Sequence, residues 1–70
     1  MMQPQKIWFE SENIGLQLKD GRTAMLPLRD FPRLYNADSQ QKKNYTLSPF
    51  GIHWAEIDED LSFEGFFYDK

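Results

Sequence analysis

Cysteine is absent from this chain. That excludes a disulfide, a thiolate-bound zinc and a cysteine nucleophile. Histidine occurs once, at position 53, so a single imidazole would have to activate any of the serines at 11, 39, 48 and 62, and nothing in the sequence arranges that meeting. There is no Gly-x-Ser-x-Gly turn, no phosphate loop and no dinucleotide glycine pattern. No apolar stretch approaches the roughly 18 residues of a membrane span. The start, Met1-Met2-Gln3-Pro4-Gln5-Lys6, lacks the apolar run of a signal peptide. Repeats, linkers and low-complexity tracts are also missing. These absences point away from an enzyme, a metal or cofactor site and a membrane protein. The lack of cysteine fits a reducing cytosol, so a cytoplasmic protein is expected.

What is present is aromatic bulk: six Phe, two Trp and three Tyr in 70 residues. A chain this short forms one domain, residues 1–70, and buries only about 60% of its unfolded surface. Its aromatic side chains, at roughly 150–250 Å² each, must supply much of the core. Charge is unevenly spread. Residues 56–70 hold six acids and one lysine, whereas residues 1–55 hold five acids and seven bases. The overall charge of −3 argues against nonspecific phosphate binding.

Along the chain, Lys6 to Glu10 has strand composition, and Ile14 to Leu18 alternates with period two. Lys19-Asp20-Gly21 is a turn. A two-residue turn would scatter the apolar side chains over both faces. A three-residue loop, with Gly21 at positive φ, sets Leu16 opposite Ala24 and Ile14 opposite Leu26 and gathers them on one face. Pro27 ends the third strand. A helix is expected near 30–37, with Asp30 as its N-cap. Asp38 with Gln41 resembles a capping box opening a turn from Ser39 to Lys43. Tyr45–Leu47 and Ile52–Ile57 read as paired strands about a Ser48–Gly51 turn. Ser62 should cap a last helical turn whose stripe is Phe63, Phe66 and Phe67. The expectation is an α+β fold: a small antiparallel sheet of about five strands, one or two short helices and a terminal helical turn. Its expected core is Trp8, Leu16, Leu18, Ala24, Leu26, Phe31, Leu34, Leu47, Ile52, Trp54, Ile57 and Phe63.

The segment from Gly51 to Ser62 concentrates the chemistry. His53, Glu56, Asp58, Glu59 and Asp60 are metal-ligand types, but an extended backbone would turn His53 and Glu56 to opposite faces. It would also turn Glu59 away from Asp58 and Asp60. A solvated acidic turn beside a strand-bound histidine is the better reading. Its carboxylates also precede a helix start, where each contributes about 0.3–1 kcal/mol. A second feature is basic: Arg22, Arg29, Arg33, Lys42 and Lys43 could form a phosphate-contacting face with Tyr35 or Tyr45. Asp20, Asp30 and Asp38 are mixed through the same region, which favours ordinary surface charge. The terminal aromatics either complete the core or form an exposed anchor.

The ordered set Asp20-Gly21-Arg22, Pro27-Leu28, Phe31-Pro32-Arg33-Leu34, Gly51-Ile52-His53-Trp54 and Asp58-Glu59-Asp60-Leu61-Ser62 resembles the bacterial family catalogued as domain of unknown function 2442. The likeness runs from about residue 6 to 67. It implies a small β-rich α+β domain, joined in some relatives to a helix-turn-helix. In others it sits beside a second small protein in an arrangement like a toxin–antitoxin pair. This chain differs in having Ala55 where relatives often have proline, and no helix-turn-helix is expected within its 70 residues. The family transfers no catalytic residue. The resulting expectation is a non-catalytic protein-interaction module, the antitoxin-like member of a two-gene pair. It would bind a small co-encoded protein of basic surface through His53, Trp54, Glu56, Asp58, Glu59 and Asp60, with weak homodimerisation. The alternative is a nucleic-acid-associated regulatory domain using the basic face around residues 29–43.

Overall fold

A computed structural model describes residues 2–68. Strands β1 (Pro4–Glu10), β2 (Asn13–Leu18) and β3 (Thr23–Pro27) form one antiparallel sheet in that order. Strands β4 (Thr46–Leu47), β5 (Gly51–Trp54) and β6 (Glu59–Ser62) form a second. A 3₁₀ turn (Leu28–Asp30) and helices α1 (Pro32–Tyr35) and α2 (Ser39–Lys43) link the sheets, and α3 (Phe63–Phe67) follows β6. The fold is therefore α+β, as expected, but it has two three-stranded sheets in place of a single sheet of about five strands. Pro27 cannot extend the first ladder, and the two short helices carry the chain away before β4 begins another.

The first hairpin follows from burial. Leu16 pairs with Ala24 and Ile14 with Leu26, the register that the three-residue loop provides. Gly21 sits at φ +96°, where a Cβ is disfavoured. The loop is closed by Leu18 N–H donating to the Arg22 carbonyl (2.8 Å). Asp20 accepts from the Arg22 amide (3.0 Å) and from its guanidinium (2.9 Å). The Arg22 amide first, with the guanidinium, holds the Asp20 carboxyl below the usual aspartate range.

Ile14, Leu16, Leu18, Leu28, Leu34, Ile52, Trp54, Leu61, Phe63 and Phe66 form one buried cluster joining the two sheets. Two expected core residues lie elsewhere. Leu47 is half exposed at 51%, because β4 is a two-residue edge strand. Trp8 alternates with the inward-facing Ile7 and Phe9, and its ring lies over Gly15 on the outer face of the first sheet. There its indole donates to Glu10 (3.1 Å) and Lys6 stands over the ring at 5.7 Å. In α3, Phe63 and Phe66 are buried and Phe67 is half-buried, so the aromatic stripe is mainly core.

Asp30 does not cap α1. The Phe31 amide closes the 3₁₀ turn onto the Leu28 carbonyl (2.8 Å), and Phe31 itself occupies the N-cap without a side-chain bond. The other caps form as expected. Asp38 accepts from the Gln41 amide (2.8 Å) while the Gln41 side chain accepts from the Asp38 amide (3.0 Å). Ser62 accepts from the Gly65 amide (3.0 Å). Helix α2 has no buried residue, so local bonds matter more for it than packing does. Asp38→Ala should cost about 1 kcal/mol and Asp38→Asn much less, as read from urea midpoints of the two variants.

Candidate functional site: the acidic hairpin

Trp54 pairs with Glu59 and His53 with Asp60 across β5 and β6, so Ala55 to Asp58 form a four-residue hairpin loop. The expected strand out to Ile57 stops at Trp54, and the acidic run turns back to make β6. Asp58 adopts φ 54°, a left-handed conformation that aspartate tolerates better than most residues. Ile57 points inward from the loop and packs against the core.

Two helices brace this loop. Arg33 of α1 donates to the Asp58 carbonyl (2.6 Å). Gln41 of α2 donates to the Glu56 carboxylate (3.0 Å) while keeping its capping bond. Just behind the loop, the Trp54 indole donates to the Lys42 carbonyl at the end of α2 (2.9 Å). The acidic loop is thus held at its backbone, at one carboxylate and at its root.

Trp54 is fully buried, edge-on to Tyr45 with ring centroids 5.9 Å apart. It was expected both in the core and among the protein-contacting residues. The structure places it in the core alone, because β5 runs through the middle of its sheet and Trp54 shares the inward face with Ile52. Glu56, Asp58 and Asp60 are exposed, Glu59 and His53 half-buried. Glu59 accepts from the Asp60 amide (3.1 Å). Among the described residues Arg22 pairs with Asp20, and the His53 ring contacts Asp60. The carboxylates of Glu56, Asp58 and Glu59 therefore have no basic side chain within pairing distance among those residues.

His53 Nδ1 lies 2.6 Å from Asp60 Oδ1. Sequence reasoning put both residues in one protein-contacting set but did not foresee this contact, because it saw neither the hairpin nor β6. The contact follows from their direct cross-strand register. With Asp60 accepting at Nδ1, the Nε2 of a neutral ring is left as an acceptor. Among the described residues no group of three His, Cys, Asp or Glu side chains converges as a metal site.

The four basic candidates of residues 29–43 are spread over separate environments. Arg29 lies beside Glu12 and the β1–β2 turn, sharing a shallow depression with Ser11, Asn13 and Pro27. Arg33 is engaged at the acidic loop through its bond to the Asp58 carbonyl. Lys42 is half-buried and Lys43 exposed in the last turn of α2. No helix among the described residues is long and apolar enough to cross a membrane.

Residues 4–69 match the family model described as "Protein of unknown function (DUF2442)". No curated protein and no solved structure matches the chain.

Proposed function

The chain belongs to the DUF2442 family, and from that premise we propose that it is a non-catalytic protein-interaction module, the antitoxin-like member of a two-gene pair. Its partner is a small co-encoded protein with a basic surface. The observation that supports this reading is the braced acidic loop. Among the described residues Glu56, Asp58 and Glu59 present negative charge without basic side-chain partners, on a loop held by Arg33 at the Asp58 carbonyl, by Gln41 at the Glu56 carboxylate and by the buried Trp54 at its root. A loop already ordered before binding loses less conformational freedom on docking. Unpaired charge of one sign steers a complementary surface into encounter.

The test is isosteric neutralisation. Glu56→Gln, Asp58→Asn and Glu59→Gln together remove three charges and retain every side-chain acceptor in the loop. Association with the protein encoded by the adjacent gene should slow by about tenfold or more at low salt, and the dependence of that rate on ionic strength should flatten. Circular dichroism and the urea midpoint should stay close to those of the parent chain. An unchanged association rate with an unchanged fold would remove the acidic loop from the interface.

A further inference from the structure

An open groove lies between β3 and β6, an edge strand of each sheet, and is flanked by α3. Strand β3 ends one sheet and β6 the other. Leu26, Phe31 and Leu61 line the floor of this groove, with Asp30, Asp60 and Tyr68 at its margins, and its volume is about 630 Å³. Among the described residues no lysine or arginine lines it. Asp30 is exposed and makes no side-chain hydrogen bond among the described residues.

The edge of β6 is open in a specific way. The Phe63 amide donates to the Phe50 carbonyl across the hairpin (2.9 Å). In an antiparallel ladder, alternate residues turn their backbone groups to the same neighbour. Glu59, Leu61 and Phe63 therefore face β5, and Asp60 and Ser62 turn their backbone groups outward along the groove. The Asp60 amide is covered by the Glu59 carboxylate, a local stopper that a partner carbonyl can replace. The Asp60 carbonyl and the Ser62 amide meet no backbone group across the groove among the described residues. An uncovered edge of this kind is a template for another strand.

We propose that the β6 edge binds a short extended segment of a partner protein by strand addition, and that the segment carries alternating apolar and basic side chains. This rests on the reading of the chain as an interaction module but uses the β6 edge, which meets the acidic loop only at Glu59. Main-chain bonds to Asp60 and Ser62 fix the segment, and its apolar side chains reach Leu26, Phe31 and Leu61. Its lysines or arginines meet Asp30 and Asp60. A strand alternates its side chains between two faces, which is the pattern this floor and these margins require. Strand β6 has four residues, so the segment need be only about that long.

A capped hexapeptide of alternating lysine and valine is the probe, titrated into the full chain and followed by amide chemical shifts and hydrogen exchange. Shifts should centre on residues 59–62, Leu26 and Asp30, and the Ser62 amide should exchange more slowly. Asp30→Asn should weaken the peptide about five- to tenfold, and N-methylation of alternate peptide amides should abolish binding. A glutamate–valine peptide should not bind. Silence of the lysine–valine peptide, equal binding of the acidic one, tolerance of N-methylation, or shifts centred on residues 55–58 would each overturn the proposal. So would protection of Ser62 that rises with protein concentration in the absence of peptide, because a second copy would then occupy the edge. The peptide assay needs no native partner, so its failure is separable from failure of the neutralised loop variant.

Discussion

Trp54→Ala is expected to leave little or no cooperatively folded protein. Removing a fully buried tryptophan costs about 3–5 kcal/mol in lost transfer energy and residual cavity. A domain of 70 residues has roughly 3.5–10 kcal/mol of stability in total, at about 0.05–0.15 kcal/mol per residue. The side chain also ties the end of α2 to the second sheet. Its indole N–H holds the Lys42 carbonyl at the end of α2 (2.9 Å), and its ring meets Tyr45 edge-on. Truncation would withdraw the donor from that carbonyl and loosen the helix that braces Glu56. Trp54→Phe separates the two effects. It keeps most of the ring volume and gives up the hydrogen bond, whose net contribution is about 0.5–1.5 kcal/mol. Urea unfolding followed by circular dichroism should therefore rank parent, Trp54→Phe and Trp54→Ala in descending midpoint, with the last lacking a folded baseline. A parent-like midpoint for Trp54→Ala would mean that the indole is not a core element, and would return it to the contact surface.

The double expectation for Trp54 shows what the sequence can and cannot convey. Alternation told that Ile52 and Trp54 share a face, but with His53, Ala55 and Ile57 on the other it suggested a strand covered on both sides, which did not separate core from contact surface. Where only one arrangement gathers the apolar groups, the reading was sharp. The three-residue loop at Lys19–Gly21 is such a case. The Asp38–Gln41 and Ser62 caps were legible because they are local chemistry. Strand β6 was not legible. Glu59-Asp60-Leu61-Ser62 has one apolar residue and two types depleted in strands, and its pairing depends on Leu61 reaching the core beside Ile52. With β6 unseen, the His53–Asp60 contact could not be found, nor could the open edge facing β3. Trp8 went astray for a related reason. A large aromatic ring signals burial, but here the absent side chain of Gly15 gives it a place to lie flat on the outer face.

The second large effect is expected at Gly51. A Cβ placed there would overlap the Leu61 carbonyl oxygen and come within 2.9 Å of the Ser62 Cα. Both atoms belong to the backbone of the paired strand, so no rotamer change can relieve the overlap. The strands must separate where the Phe63 amide reaches the Phe50 carbonyl (2.9 Å). Overpacking of this kind costs about 1–3 kcal/mol, and more where the backbone itself must move. Gly51→Ala should therefore lower the urea midpoint sharply and speed exchange of the Phe63 amide. Gly15→Ala is the control. Its Cβ would also meet a neighbour closely, but that neighbour is the half-exposed Trp8 ring, which can swing outward. Alanine also favours a strand interior over glycine by roughly 0.5–1 kcal/mol, so Gly15→Ala should cost far less. Equal losses at the two sites would refute the distinction between a backbone obstacle and a side-chain one. The same pair of variants bears on the groove. Displacing β6 at Gly51 moves Leu61 and Ser62 directly, so Gly51→Ala should weaken the lysine–valine peptide even where the protein remains folded, whereas Gly15→Ala should bind it as the parent does.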